Sequence, residues 1–343
     1  MRYRLGVVTT NDGVRLRTVE AGSADSAGPT IVLLHGWTVD HRLWRRQIID
    51  LQKRLPAPVR ILAYDMRGHG RSSSITRDGA TLQRLADDLA AVVSQRTTGP
   101  VVLAGHSLGG MTIFEYAHRH QEQFDARVAG AVLVSTSAEG HAHTHYGLPP
   151  QLAKVVRLAE VGGAGLLARA GSWTPHRALM PRLAPLVRWL VFGDEVRDDV
   201  LHLTTRMISR APLVSIGGFR PTVGSMNRVA ALERFRTLPV AILVGERDRL
   251  TPTPCTGTMK EALPDALLRE LPGCGHMLPM ECPDAVTDAI LTVYEAAITY
   301  RWTATPSSSS TKPGPSADDG VCAPGAASGR RRTARRTASA VRS

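Results

Sequence analysis

One short stretch of the chain constrains its fold more than any other. Residues 101–104 form an apolar run that begins with two β-branched residues and leads directly into Gly105-His-Ser107-Leu-Gly109, and a helical pattern follows over residues 111–120. This order predicts a strand, a tight turn and a helix, with Ser107 at the apex of the turn. A turn this sharp strains the serine backbone and leaves almost no room for side chains two residues before and after it, where the sequence has glycine. The helix N-terminus beneath the serine favours negative charge nearby.

The same five-residue pattern also arises by chance. In that case the serine would only cap the helix that follows it. The apolar strand before the pattern and the helix after it favour a catalytic serine, and the rest of the chain has to decide between the two interpretations.

Strands and helices alternate along the first part of the chain. An Asn11-Asp12-Gly13 turn signal separates two antiparallel strands within residues 3–20. Further strands are predicted over residues 30–34, 59–64, 101–104 and 128–134, with helices over 41–54, 81–95 and 111–120. This alternation indicates βαβ units and a parallel sheet, which binds ligands at the carboxyl ends of its strands. Those ends carry His35, Asp65, Ser107 and Ser135.

The alternation stops after Ser137 and resumes near Val240. Between them we predict only helices, over residues 151–169, 176–192, 196–209 and 226–236, and then a strand from 240, a helix over 254–263, a strand over 266–271 and a helix over 283–299. The sequence therefore predicts an α/β fold with a mostly parallel eight-stranded sheet flanked by helices. Residues 1–138 and 237–300 would form this core, and residues 139–236 a helical cap.

The C-terminal segment has a different composition. Residues 301–343 are rich in Ser, Pro, Ala, Gly and Arg, which predicts a disordered tail. The formal net charge of the chain is +12, and half of this excess lies in the tail. We interpret the tail as solvated, with contact to nucleic acid or another anionic surface as the alternative. No nucleic-acid binding is expected from the core.

The cysteines and the apolar segments of the chain indicate the cellular compartment in which we expect the protein. The four cysteines, Cys255, Cys274, Cys282 and Cys322, have no C-x-x-C spacing and do not indicate a disulfide framework. The N-terminus lacks a sustained apolar segment, and no stretch approaches the length of a membrane span. From these features we expect a cytoplasmic protein.

Two further residues complete a candidate catalytic set. A serine hydroxyl needs a base to accept its proton, and the base needs a carboxylate to orient it. Asp248 follows a buried strand, and His276 follows the last strand. The order of serine, acid and histidine along the chain is the one that such sheets use.

Five motifs together resemble the α/β-hydrolase family, in particular its capped serine hydrolases. They are His35-Gly-Trp37 (the oxyanion loop), Asp65-Met-Arg-Gly-His-Gly-Arg-Ser72, Gly105-His-Ser107-Leu-Gly109 (the nucleophile turn), Gly245-Glu-Arg-Asp248 and Gly275-His276. The resemblance spans roughly residues 5–299 and implies that Ser107 is the nucleophile, Asp248 the orienting acid and His276 the general base. The backbone N–H groups of Trp37 and Leu108 would form the oxyanion hole. No cofactor and no metal are expected.

Several other residues have competing interpretations. Glu246 is an alternative carboxylate for the histidine, and His106 is an alternative base, although we expect it to point away beneath the sheet. Asp65 and Arg67 are interpreted as a structural loop, and His35 as a residue that shapes the oxyanion loop. His141, His143 and His145 have a spacing that suits a metal, but a solvated cap loop is favoured. Cys274 is expected to be a buried small residue.

Serine at position 107 implies acyl chemistry. Members of the family with aspartate there, such as epoxide hydrolases and haloalkane dehalogenases, form an alkyl ester instead. The sequence thus predicts a carboxylic ester hydrolase that forms an acyl-enzyme on Ser107, with a small-molecule ester of a medium or long apolar acyl chain, such as a lipid ester, as substrate. The alternatives are a carbon–carbon bond hydrolase, a cofactor-free perhydrolase or haloperoxidase-like enzyme, or a ligand-binding protein with a vestigial triad.

Overall fold

Eight strands form one sheet at the centre of the molecule. The computed structural model describes residues 3–23, 26, 28–55, 59–140 and 143–304, and side chains through residue 299. The strands are β1 (Arg4–Thr9), β2 (Arg15–Ala21), β3 (Thr30–Leu34), β4 (Ile61–Tyr64), β5 (Val101–His106), β6 (Val128–Val134), β7 (Val240–Gly245) and β8 (Leu267–Leu271). Their order across the sheet is β1-β2-β4-β3-β5-β6-β7-β8. Strands β3 to β8 are parallel, and the β1–β2 hairpin is antiparallel at one edge, which confirms the predicted sheet.

Helices cover both faces of the sheet. They are α1 (Arg45–Arg54), α2 (Leu82–Arg96), α3 (Leu108–Arg119), α4 (Gln121–Arg127), α5 (Pro150–Arg169), α6 (His176–Val191), α7 (Asp198–Ile208), α8 (Leu213–Gly218), α9 (Arg220–Gly224), α10 (Pro254–Ala262), α11 (Leu278–Glu281) and α12 (Pro283–Ala304). Alternate side chains of β3 enter two separate cores. Val32 and Leu34 pack with residues of α2 and α3, whereas Ile31 and Leu33 pack with residues of α1 and α12. Burial on both faces explains why the parallel strands are continuous apolar runs.

The register of the central strands aligns the edge of the sheet that leads into Ser107. Strand β5 is fully buried between β3 and β6, with Leu34 opposite Gly105 and His106 opposite Val134. The chain leaves all three strands at the same edge of the sheet. Residues that follow β3, β5 and β6 are therefore neighbours, although they are far apart in the sequence.

Helices α5 to α9 lie between β6 and β7, in the segment where we predict a helical cap, and their bounds differ in part from the predicted ones. The segments α8 and α9 were not expected, since each is short and bounded by Pro or Gly. The predicted helix over 226–236 is instead a 3-10 helix, Val229–Phe235, whose Leu232 and Phe235 are buried in the core beside α3. The predicted helix over 41–54 begins with a 3-10 turn, His41–Trp44, capped by the Asp40 carboxylate.

The C-terminal helix extends beyond its predicted end. We expected it to stop at residue 299, but α12 continues to Ala304 because residues 300–304 lack a helix-breaking residue. The remainder of the predicted tail lies outside the described residues. Within the ranges that the structure describes, none of the helices is long and apolar enough to cross a membrane.

The structure contains a disulfide bond that we did not expect from the cysteine spacing. Cys274 is bonded to Cys282, eight residues further along the chain, rather than being an isolated buried thiol. The short helix α11 turns the chain back, so that its C-cap residue Cys282 lies beside the loop after β8. The disulfide thus closes a small loop that contains His276. Cys255 is free and buried.

Candidate active site

Ser107 occupies a strained turn between β5 and α3. Its φ of 52° and ψ of −114° lie outside the regions that residues with a side chain normally adopt. Two hydrogen bonds with the end of β6 and the residues after it hold this conformation: the Ser107 N–H donates to the Val134 carbonyl at 2.9 Å, and the Thr136 hydroxyl donates to the Ser107 carbonyl at 2.8 Å. Such strain persists only where the surroundings enforce it, and it is concentrated at functional sites.

The two glycines that flank the turn have no space for a side chain. A Cβ atom on Gly105 would lie 2.6 Å from the backbone nitrogen of Gly110. On Gly109 it would lie 2.4 Å from the carbonyl oxygen of Leu34. The prediction that this turn needs glycine at both positions is therefore confirmed.

The structure brings His276 and Asp248 together. The His276 Nδ1 lies 2.9 Å and 3.0 Å from the two carboxylate oxygens of Asp248, and both side chains are buried. Asp248 also accepts hydrogen bonds from the Leu250 and Thr251 N–H groups and from the Thr251 hydroxyl, each at 2.9 Å. Burial alone would raise the pKa of Asp248, but His276 and these donors together lower it below its usual value. A buried carboxylate is thus kept ionised beside an imidazole.

Ser107 and His276 line one cavity of about 260 Å³. Trp37 and Leu108, the two residues expected to form the oxyanion hole, line it as well. Within the described part of the chain no hydrogen bond joins the Ser107 hydroxyl to His276, and such contacts commonly tighten only when substrate binds. The wall contributed by helices α6, α7 and α9 is mainly apolar, with Val187, Leu190, Ile208 and Val223.

His35 shapes the loop that carries Trp37. Its ring is completely buried; Nδ1 lies 2.7 Å from the Gly36 carbonyl, and Nε2 accepts the Met66 N–H at 2.9 Å. The Trp37 indole N–H donates to the Ser215 carbonyl of α8 at 2.8 Å, which ties the loop to the helices above the sheet. This is the role expected for His35.

His106 does not point beneath the sheet, and that prediction is wrong. Its Nε2 donates to the backbone carbonyl of His276 at 2.8 Å, the two rings pack with centroids 4.9 Å apart, and His106 lines the cavity. Burial lowers the pKa of His106 to about 3, so its ring is neutral at physiological pH. Because its one N–H group holds the loop of His276, His106 supports that residue.

Buried neutral histidines make stability depend on pH. Burial lowers the pKa of His69 and His106 from 6.5 to about 3, and that of His35 in the same direction. Below pH 6.5 the unfolded chain takes up protons that the folded chain cannot, so the free energy of unfolding decreases on acidification. Each of the first two histidines should cost about 2 kcal/mol at pH 5 relative to pH 8. Urea unfolding across this range measures the loss.

A substitution of His69 provides the control for this pH dependence. In the His69→Asn protein the amide can replace the N–H that Nδ1 donates to the Arg67 carbonyl at 3.0 Å, but it cannot be protonated. The loss of stability between pH 8 and pH 5 should then shrink by about 2 kcal/mol. An unchanged pH dependence would contradict the assignment of His69 as a buried neutral group.

The competing carboxylate Glu246 lies on the surface. It is exposed and accepts the Gly273 N–H at 2.9 Å, while Asp248 occupies the position beside His276.

Asp65 accepts hydrogen bonds within its own loop and from the chain after β3: from the backbone N–H and Nδ1 of His41 at 2.9 Å and 2.7 Å, and from the Arg71 N–H at 2.8 Å. These bonds fit the structural interpretation of the loop.

Arg67 is the centre of a buried ion-pair network. Its guanidinium is 1% exposed and donates to Asp88 at 2.7 Å and 2.6 Å and to Asp12 at 2.9 Å and 3.1 Å. The network links the β1–β2 hairpin, the loop after β4 and helix α2. Neither Arg67 nor Asp65 lines the cavity of Ser107.

Potential metal ligands lie close together at one place in the described ranges. Asp40, His41 and Asp65 bring one ligand atom each to within 4.8 Å of one another. Asp65 already accepts N–H groups with both oxygens, and Asp40 pairs with Arg42, so hydrogen bonds within the loop account for the arrangement. Of the three alternating histidines, His143 lies 3.4 Å from Glu139, and His141 falls outside the described residues.

The sequence analysis missed Glu281, which holds the loop of His276. One carboxylate oxygen accepts the N–H groups of Gly193 and Gly275 at 2.7 Å and 2.8 Å, and the other accepts that of Met277 at 2.8 Å. Burial raises the pKa of Glu281, while these donors favour its ionised form. Its place five residues after His276, next to a proline-rich turn, carried no recognisable signal.

The chain is similar in sequence and in fold to known esterases and haloperoxidases. The chain is 37% identical over 131 residues to a bifunctional esterase/perhydrolase DCH of Acinetobacter calcoaceticus, covering 38% of this chain and 44% of that protein. It is 37% identical over 127 residues to a non-heme haloperoxidase of Rhodococcus erythropolis, covering 37% and 42%. These matches span less than half of either relative. The structure resembles an esterase (EaEST) from Exiguobacterium antarcticum with a TM-score of 0.69 and 18% identity, covering 84% and 98% of the two chains.

The match to a protein family covers more of the chain than the matches to these individual relatives. Residues 31–289 fit the alpha/beta hydrolase family, which includes the sheet from β3 onward, the turn of Ser107 and the loops of Asp248 and His276. Since this match covers well over half of the chain, the protein belongs to the alpha/beta hydrolase family.

Proposed function

We propose that this protein is a serine hydrolase that cleaves carboxylic esters with an apolar acyl group. The observation that carries the proposal is the buried His276–Asp248 pair, whose His276 lines the same apolar cavity as the strained Ser107. A mainly apolar lining favours an apolar substrate, with few polar groups to orient it.

The arrangement supports a two-step acyl transfer. The Ser107 hydroxyl attacks the ester carbonyl carbon while the imidazole of His276 takes its proton, and Asp248 stabilises the imidazolium. The negative oxygen of the intermediate accepts the backbone N–H groups of Leu108 and Trp37. The first of these belongs to the first turn of α3, whose N–H groups have no acceptor within the helix. Collapse of the intermediate releases the alcohol with the proton from His276, and water activated by His276 then hydrolyses the acyl-enzyme.

A panel of p-nitrophenyl esters with acyl chains of two to twelve carbons tests the proposal. We expect turnover by the purified full chain, with the highest kcat/KM for a chain that fits the cavity. A fluorophosphonate probe should label the peptide that contains Ser107. Absence of both turnover and labelling would contradict the proposal and favour a ligand-binding protein with a vestigial triad.

Perhydrolysis is the second candidate. The bifunctional esterase/perhydrolase and the non-heme haloperoxidase among the relatives favour it over carbon–carbon bond cleavage. Hydrogen peroxide would replace water in the attack on the acyl-enzyme and release a peracid. Measuring peracid formation from a short carboxylic acid and peroxide, beside ester hydrolysis, separates the two activities.

Replacement of Glu281 should reduce turnover through the position of His276. In the Glu281→Gln protein one carboxylate oxygen becomes an NH₂ group that faces a backbone N–H, so at least one of the three bonds to Gly193, Gly275 and Met277 is lost. A hydrogen bond to a charged group contributes about 1.5–3 kcal/mol. We expect kcat for the best p-nitrophenyl ester to decrease about tenfold or more, with little change in KM.

Glu270 provides the matched control for this substitution. It is exposed on β8 and makes a 3.2 Å contact with Thr253, away from the cavity. The Glu270→Gln protein should keep kcat within about twofold, as is usual for a surface substitution. Equal kcat values for the two variants would refute the positioning role of Glu281.

A further inference from the structure

A polar cluster interrupts the apolar wall of the cavity. Tyr146, Glu160 and Arg220 line the same cavity as Ser107 and His276. They come from three different segments: Tyr146 from the loop before α5, Glu160 from α5 and Arg220 from the start of α9. A few convergent polar groups in an apolar pocket usually orient a ligand.

One nitrogen of Arg220 makes both of its contacts within the cluster. Nη2 donates to the Tyr146 hydroxyl at 2.8 Å and to Oε2 of Glu160, and the Tyr146 hydroxyl donates to the same oxygen at 2.6 Å. The side chain of Arg220 is only 5% exposed, compared with 38% for Glu160. Nε of Arg220 is buried and has no hydrogen-bond partner in the described part of the chain.

A purely structural ion pair accounts for only part of this arrangement. It explains why Glu160 and Tyr146 meet Nη2, but it leaves a charged, buried N–H donor without an acceptor. Such a donor costs free energy. The Nε atoms of Arg60 and Arg157 are also buried without a partner among the described residues, but of these three arginines only Arg220 lines the cavity. A ligand oxygen in the cavity would supply the missing acceptor.

The backbone of Tyr146 supports a functional role for the cluster. Its φ is 55°, a left-handed conformation that is uncommon for a residue with a bulky side chain. The Tyr146 N–H donates to the Arg249 carbonyl at 3.2 Å, close in sequence to Asp248. The strain is thus maintained next to the catalytic loop, where strained residues are concentrated in enzymes.

The charges of the cluster limit the kind of ligand. The carboxylate of Glu160 neutralises the guanidinium of Arg220, and a second carboxylate from a ligand would meet repulsion from Glu160. A neutral oxygen acceptor meets no such repulsion and still satisfies the free N–H.

We propose that Arg220, held by Glu160 and Tyr146, forms a subsite for a neutral oxygen atom, such as a ketone or ester carbonyl, in the part of the substrate remote from the scissile bond. This deepens the proposed function and rests on it: the substrate would be an ester whose apolar acyl group carries a second oxygen. A site built to hydrogen-bond one substrate group discriminates strongly against the analogue that lacks it.

Matched pairs of p-nitrophenyl esters test this subsite. Each pair compares an oxo-acyl ester with its methyl isostere, for example 4-oxopentanoate with 4-methylpentanoate, and the series continues with 5-oxohexanoate and 6-oxoheptanoate. Rates are corrected with the Ser107→Ala protein. At one chain length kcat/KM for the oxo ester should exceed that of its isostere about tenfold or more. A wild-type protein without this preference at any length overturns the proposal.

Two substitutions locate the preference. In Arg220→Met the ratio of kcat/KM for the oxo ester to kcat/KM for its methyl isostere should fall to about one, whatever happens to the two values themselves. In Arg228→Met, which removes an arginine paired with Glu115 away from the cavity, the ratio should stay as in the wild type. Arg220→Lys, which keeps the charge without the Nε donor, serves if the methionine variant does not fold. A preference that survives loss of the Arg220 donor in a folded variant also overturns the subsite.

Failure of the proposed function is a separate outcome. If no ester of the series is hydrolysed, the esterase proposal has failed, and methyl 4-oxopentanoate and methyl 4-methylpentanoate then serve as ligands. The subsite predicts that only the oxo compound raises the melting temperature of the wild-type protein, and that Arg220→Met or Arg220→Lys removes this rise. Equal effects of the two compounds would reject the subsite.

Discussion

Alanine at position 107 is expected to lower kcat/KM for p-nitrophenyl ester hydrolysis by about 10⁴-fold or more. The substitution removes the hydroxyl of Ser107, which lines the cavity together with His276, while the proposed oxyanion donors, the backbone N–H groups of Trp37 and Leu108, stay in place. Residual activity above the uncatalysed rate should therefore remain, because oxyanion stabilisation and substrate binding persist without the nucleophile. Fluorophosphonate labelling should be lost completely.

Ser135 is the matched control for this experiment. It follows β6 at the same edge of the sheet, is buried, and also has a positive φ, 46°. The structure does not place it on the cavity of Ser107, so the Ser135→Ala protein should keep kcat/KM within a few fold of wild type. If the Ser107→Ala protein kept more than a tenth of the wild-type rate, the nucleophile assignment would be wrong.

Local constraints made much of the fold and of the candidate site predictable. The turn at Ser107 needs glycine at fixed positions, so Gly105 and Gly109 revealed it without any knowledge of distant residues. The parallel sheet was visible because strands buried on both faces are continuous apolar runs. Asp248 and His276 could be proposed in the same way, since each lies in the loop after a strand of that sheet.

Contacts between distant segments were beyond such reasoning. The orientation of His106 depends on the backbone carbonyl of His276, which is 170 residues away in the sequence. Glu281 acts through N–H groups of Gly193 and Gly275, which meet only when α6 and the loop after β8 pack together. The disulfide of Cys274 follows from the turn made by α11, a helix too short to give a periodic signal.

The apolar interpretation of the cap was incomplete for a related reason. Its sequence is rich in leucine, valine and alanine, and α6 contributes Val187 and Leu190 to the cavity. The polar cluster escaped notice because Tyr146, Glu160 and Arg220 lie up to 74 residues apart. In the sequence each was an isolated polar residue, and only the packing of α5 against the following helices assembles them.

Asparagine at position 248 is expected to lower kcat by about 10⁴-fold, the second large effect. An amide NH₂ cannot accept the proton on Nδ1 of His276, and it would favour the tautomer in which the other ring nitrogen carries the proton and cannot act as a base. The shape of the side chain is retained, so the bonds from Thr251 and Leu250 to the remaining oxygen should preserve the loop. We therefore expect kcat to decrease by the full 10⁴-fold while the melting temperature changes little.

Glu246 is the matched control, because it is the competing carboxylate two residues before Asp248. It is exposed and accepts one N–H, from Gly273, so the Glu246→Gln protein should keep kcat within about twofold. The comparison tests the assignment of the acid directly: a larger loss of kcat in Glu246→Gln than in Asp248→Asn would transfer the orienting role to Glu246.

The role of Asp248 can also be tested together with Ser107, since a serine hydroxyl is a poor nucleophile without an oriented base. If Asp248 orients His276, combining Asp248→Asn with Ser107→Ala should cost little more than Ser107→Ala alone, because the two residues act as one unit.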